Sequence, residues 1–230
     1  MTPFIAGADR RGDRPGREVR QVAFEELRVA RADGEQPVIS GYGAVFGKLS
    51  SDLGLFREQI DPEAFTRTLK NRPDVFSFYN HNPDHVLGRT RAGTLELEVD
   101  QGGVRYRVTP PPAGWANDLL ESIGRGDVTD ASFAFRTVRD RWEQEPGQTP
   151  VRTLLEVELL EMGPVTMGAY PDASSSLRSA LETAPAEIVS AVLGEPPAAD
   201  PGQRSHSYAY LARRLDLHAR RAGQRVRGRA

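Results

Sequence analysis

Apolar and polar residues alternate with a period of two over most of the stretch between residues 20 and 170, and that period predicts strands. Val22 to Val29 (VAFEELRV) reads as a strand with a bulge at Glu25-Glu26. Val38 to Phe46 (VISGYGAVF) reads as another, whose glycines mark a bend or a close backbone approach. Val75-Phe76-Ser77-Phe78-Tyr79 is a short aromatic and β-branched run, and Asn82-Pro83-Asp84 then turns the chain, leaving His81 at a strand end. Leu95-Leu97-Val99 and Val104-Tyr106-Val108 flank Asp100-Gln101-Gly102-Gly103 as a hairpin. Two segments have the helical period instead. One starts at Asp61-Pro62-Glu63, with Asp61 as N-cap; the other runs from Trp115 to Ile123 and stops at Gly124 and Gly126. Asp127 to Arg136 is a loop feeding a strand, residues 141–150 a polar turn, and 153–168 a long β run interrupted at Gly163-Pro164. The pattern predicts a mainly β (α+β) fold, an antiparallel barrel or sandwich with two helices.

The ends of the chain have a different texture. Residues 1–18 are rich in Gly, Arg and Pro and predict a disordered segment, followed by one domain over 19–178. An Ala/Pro-rich linker follows over 179–203, then a basic tail over 204–230 with eight arginines against one acid, Asp216. Tyr208 to Leu217 has amphipathic helical spacing within that tail. The formal net charge of the whole chain is only −2, so no global field steers it to nucleic acid or membrane. With no cysteine among 230 residues, disulfides and thiolate metal sites are excluded and a reducing compartment is expected. No apolar stretch approaches the roughly 18 residues needed to span a bilayer, and the start carries no apolar signal core.

Two residue patterns suggest chemistry. His81 and His85, two of four histidines, sit beside Asn80, Asn82, Asp84 and Arg89 in a loop next to a strand, a place where rigid support meets access. A histidine capping a turn fits the same pattern. Ser132 opens a strand in phase with Ala134 and Arg136, while Ala131, Phe133 and Phe135 take the opposite face. That phase predicts a serine on an accessible polar face, braced by aromatics, although an ordinary surface serine fits as well. His81-x-x-x-His85 has a proline between its members and no third ligand, so no metal and no cofactor are expected. There is no G-x-S-x-G elbow, no H-E-x-x-H, no phosphate loop and no dinucleotide fingerprint.

Four blocks in order resemble a known family. Gly41 to Phe46 with Leu55 to Phe65 resembles the opening of the tailed-phage prohead (capsid maturation) serine proteases. Tyr79-Asn80-His81-Asn82-Pro83 with Leu87 to Thr90 resembles their histidine motif. Asp127 to Phe135 (DVTDASFAF) is similar to their serine motif, and Leu159 to Met162 through Tyr170-Pro171 to their third block. The family is related to herpesvirus assemblins, so the resemblance implies a β-barrel wrapped by a few helices.

The resemblance also implies roles. Ser132 is the nucleophile, His81 the general base, and His85 a loop residue. For the third member, alignment with the assemblin strand places Glu156, on the more polar strand phase with Glu158. Glu161, on the buried phase with Val157 and Leu159, is the second choice. The Gly163 N–H is the candidate oxyanion donor. The implied substrates are scaffold protein, the scaffolding segment of the major capsid protein, and the chain itself. The implied setting is a homodimer or larger oligomer inside the assembling procapsid in the host cytoplasm. Membrane contact is not expected, and nucleic acid only through the basic tail. The competing readings are a catalytically silent assembly or scaffold protein, and a module that binds DNA or shell through its arginines.

Overall fold

The chain is described here as a computed structural model covering residues 4–9, 16–22, 27–30, 36–53, 55–71, 73–166 and 179–193. Its strands, in chain order, are β1 (Phe4–Asp9), β2 (Glu18–Val22), β3 (Arg28–Ala30), β4 (Val38–Val45), β5 (Arg57–Ile60) and β6 (Phe76–Phe78). They continue as β7 (Val86–Arg89), β8 (Leu95–Val99), β9 (Gly103–Val108), β10 (Asp130–Gln144) and β11 (Val151–Val165). Helices α1 (Thr66–Lys70), α2 (Gly114–Arg125) and α3 (Ala186–Leu193) accompany them.

The 15-residue strands β10 and β11 form an antiparallel pair that carries one sheet. That sheet runs β1-β10-β11-β6-β7, with β2 also on β10 and β5 also on β11. The other sheet runs β3-β4-β9-β8. The sheets face each other across a core of Ile39, Phe65, Tyr106, Val108, Phe133, Phe135 and Met162, with Leu119, Leu120 and Ile123 of α2 packed in. Burial of this apolar surface is the main stabilising term.

The fold is mainly β with a few helices, as the alternation predicts, but the closed barrel is not formed among the described residues. Closure needs a continuous backbone ladder. Among the described residues no ladder joins the two sheets: one ends at β7 and the other at β8. Two further expectations are corrected. Residues 4–9 of the supposedly disordered start form β1, which β10 pairs along its far half, from Arg139 to Gln144. Residues 179–193 of the supposed linker contain helix, and Ala180, Leu181, Ala184 and Ile188 bury themselves against Phe56 and Trp142. Alanine reads as linker by composition, yet it is also the residue that allows close helix packing. The basic tail over 204–230 and the rest of the linker lie outside the described residues. Asp61 does not cap α1: its carboxylate accepts from the Glu63 N–H in a turn ahead of the helix, whose N-cap is Phe65.

Beside the main core lies a buried ionic cluster. Arg152, fully enclosed, donates to Glu18 at 2.6 Å, Asp140 at 2.8 Å, Thr137 at 2.8 Å and Glu58 at 3.1 Å. Arg20 adds a second guanidinium, 2.7 Å from Glu58 and 2.8 Å from Glu18. Burial alone would push the Glu18 carboxyl up, but Arg152 and Arg20 outweigh it and hold it below the usual carboxylate range. The cluster therefore nails β2 to the β10–β11 frame.

Candidate functional site

The site forms where three strands meet. Ser132 lies near the start of β10, opposite Gly163 of β11, and Ala134 lies opposite Glu161. Residues two apart on a strand share a face, so this register puts Glu161 on the same face as Ser132. β6 runs parallel to β11, with Phe76 beside Glu161, and delivers the chain to the turn that carries His81.

That turn is held in an unusual shape. Asn80 and His81 both have left-handed backbones, with φ of 53° and 57°. For a side chain other than glycine this costs about 1–2 kcal/mol per residue, less for Asn. The surroundings hold the shape in place. The Asn80 N–H donates to the Pro164 carbonyl at 3.1 Å, its Oδ1 accepts from the Thr166 N–H at 2.8 Å, and its Nδ2 donates to Thr166 Oγ1 at 3.0 Å. The Asn80 side chain thus ties the turn to the end of β11, and the strained pair aims the imidazole at β10.

His81 Nε2 lies 2.8 Å from Ser132 Oγ. On its other side Nδ1 meets Glu161 Oε1 in a short hydrogen bond. A carboxylate only accepts, so Nδ1 carries the hydrogen and Nε2 presents its lone pair to the serine. Glu161 Oε2 accepts from Arg17 at 2.7 Å, so both oxygens of this buried carboxylate are satisfied. Ser132 Oγ also lies 2.9 Å from the Arg20 carbonyl. Its one hydroxyl hydrogen therefore has two acceptors, the Arg20 carbonyl and the imidazole. Such a chain can pass a proton from the hydroxyl to Nε2 while the carboxylate steadies the resulting imidazolium.

The structure brings Ser132 and His81 together, and places Glu161, not Glu156, against the imidazole. Glu156 stands opposite Arg139, pairs with Arg67 at 3.0 Å and is about five residues, roughly 16 Å, along β11 from Glu161. The preference for Glu156 assumed an orienting group on the polar phase of an outward-facing site. The β10–β11 register shifts between Ala134 and Phe135 and twice more near Arg139, so strand phase does not carry from one end of the pair to the other. The accessible polar face expected for Ser132 is likewise covered, leaving the residue 2% exposed. His85 is a turn residue, its ring 4.7 Å from that of Trp115 and its Nδ1 3.2 Å from Asn82. Sequence reasoning missed Arg17 and the Arg20 carbonyl, which sit in a segment with no motif. It missed the role of Asn80 although the asparagine stood in the motif it quoted.

Comparison with known proteins matches this arrangement to a family. The family model described as caudovirus prohead serine protease matches residues 25–185. The prohead protease of Enterobacteria phage HK97 is 31% identical over 127 residues, 53% of this chain and 52% of that protein, so the match spans about half of the relative's length. Among solved structures, the bacteriophage T4 capsid assembly protease aligns with a TM-score of 0.43 and 10% identity, covering 66% of this chain and 99% of that one. A family match running from residue 25 to residue 185 takes in well over half of the 230 residues, His81, Ser132 and Glu161 among them, and the chain belongs to the caudovirus prohead serine protease family.

Proposed function

We propose that this chain is a serine endopeptidase of phage procapsid maturation, with Ser132 as nucleophile, His81 as general base and Glu161 as the group that orients the base. The observation that carries the reading is the continuous hydrogen-bonded line Ser132–His81–Glu161. In the first step Ser132 Oγ attacks the scissile carbonyl while His81 Nε2 takes its proton. Glu161 holds the Nδ1 hydrogen and balances the imidazolium charge. His81 then gives the proton to the leaving amine, and an acyl-enzyme remains. Water, deprotonated by the same nitrogen, attacks the ester carbon and restores the serine. Proton transfer of this kind contributes about 10²–10⁴ in rate.

Family membership supports substrates of this kind: scaffold protein or the scaffolding segment of the major capsid protein, and the chain itself, cut inside the procapsid in the host cytoplasm. The enzyme acts there as a homo-oligomer, and the eight arginines of residues 204–230 supply a tether to the assembly. Coexpression of capsid protein with the wild-type chain or with Ser132→Ala, read by mass spectrometry of the capsid protein, tests the reading. Processing that disappears in the variant, with folding intact by circular dichroism, is the expected result. Equal processing by both chains rejects it.

A further inference from the structure

We infer that Arg17 is a positioning residue for the His81–Glu161 pair, acting from the position just before β2, ahead of the family match, which begins at residue 25. The inference rests on the proteolytic reading above. Glu161 is almost fully buried, and its two oxygens have different partners: Oε1 faces His81 Nδ1, and Oε2 faces Arg17 Nη2 at 2.7 Å. A buried carboxylate needs its charge compensated and its lone pairs filled. Without Arg17 the imidazole is the remaining side-chain partner of this carboxylate among the described residues, which leaves Oε2 unfilled and the carboxylate free to rotate away from Nδ1.

Arg17 is 46% exposed along its side chain, and a flexible surface arginine would position little. Its backbone, however, is pinned on both sides. The Gly16 carbonyl accepts from Ser179 Oγ at 3.1 Å, where a side chain on Gly16 would press on that same hydroxyl. Glu18 is locked into the Arg152 cluster and also accepts from Thr137 at 2.6 Å. The guanidinium thus leaves a fixed point and has one short reach to Glu161. β2, which starts at the next residue, brings the Arg20 carbonyl to Ser132. One short N-terminal segment therefore contacts both the nucleophile and the carboxylate, and the buried ionic cluster holds it in register.

The test uses the full chain and a fluorogenic peptide spanning a processing site mapped by mass spectrometry. Arg17→Ala is expected to lower kcat about tenfold with KM within about twofold, the size of one charge-assisted hydrogen bond lost from a group that acts on the chemical step. Arg17→Lys is expected to recover most of the rate. Because the site of Arg17 opens to solvent, added guanidinium ion should restore part of the Arg17→Ala rate but none of that of Glu161→Gln. An Arg17→Ala enzyme with wild-type kcat overturns the proposal. So does a loss that neither lysine nor guanidinium relieves and that comes with a lowered melting temperature, since that marks a structural role. In the Ser132→Ala background, the downfield Nδ1 proton of His81 in NMR reads the positioning apart from turnover. It should persist with Arg17 or lysine and broaden with alanine. A wild-type chain without peptidase activity that still shows this dependence sinks the proteolytic reading alone; one without the dependence sinks the positioning role.

Discussion

Gly163 stands opposite Ser132 in the β10–β11 ladder, and a methyl group on its α-carbon would lie 2.3 Å from the carbonyl oxygen of Phe78. Phe78 ends β6, three residues before His81. The bare α-carbon is therefore what lets β6 close on β11 and bring the imidazole within reach of the serine.

Gly163→Ala is accordingly expected to push β6 outward and slow processing on the order of 10²-fold, the usual effect of a displacement near 1 Å at reacting groups. The contact is with backbone, which cannot swing aside. Labelling of Ser132 by a fluorophosphonate probe measures the effect without a substrate. Labelling at the wild-type rate would show that the close approach is not needed.

The two glutamates separate cleanly. Glu161→Gln keeps the size of the side chain but exchanges an acceptor for an amide, and should reduce the rate on the order of 10²–10⁴-fold. Glu156→Gln disturbs a partly exposed ion pair with Arg67, and should leave the rate within about twofold. Parallel time courses of capsid-protein processing distinguish them. Equal losses in both variants would contradict the geometry.

Glu18 should make stability acid-sensitive. Its carboxyl lies below its ordinary value of 4.5 when folded, so the folded state favours the charged form. The stability it contributes is complete above about pH 4.5 and is lost as pH falls through the folded value. Glu18→Gln removes one partner of a buried pair, so it should cost about 3–5 kcal/mol at neutral pH and flatten the acid limb of the stability curve. Urea unfolding at pH 7 and at pH 3.5 reads both effects. A variant as acid-sensitive as the wild type would assign the limb to other carboxyls.

Tyr106 offers the opposite case. It is fully buried, burial pushes its phenol pKa up, and its hydroxyl has no hydrogen-bond partner among the described residues. An unsatisfied buried hydroxyl costs roughly 1–3 kcal/mol, so Tyr106→Phe should be neutral or raise the melting temperature by a few degrees. A clear drop in calorimetry would reveal a partner for that oxygen.

Much was legible along the chain. The hairpin of β8 and β9, the strand before His81, helix α2 and the strand carrying Ser132 all follow from residue periodicity and turn chemistry, which are local. The alanine-rich stretch packed on Trp142 and the terminal strand on β10 were not legible, because the first lies about forty residues from Trp142 and the second more than a hundred from its β10 partners.

The amino-acid sequence by itself determined a strand-rich domain, the histidine and the serine at issue, and two glutamates of which one completes the line. Only the tertiary structure decided which: consecutive residues set the phase of a strand locally, but cross-strand register and its bulges set which side chains face Ser132. The same holds for Arg17, whose place beside Glu161 depends on a contact between residues 144 apart that no local pattern encodes.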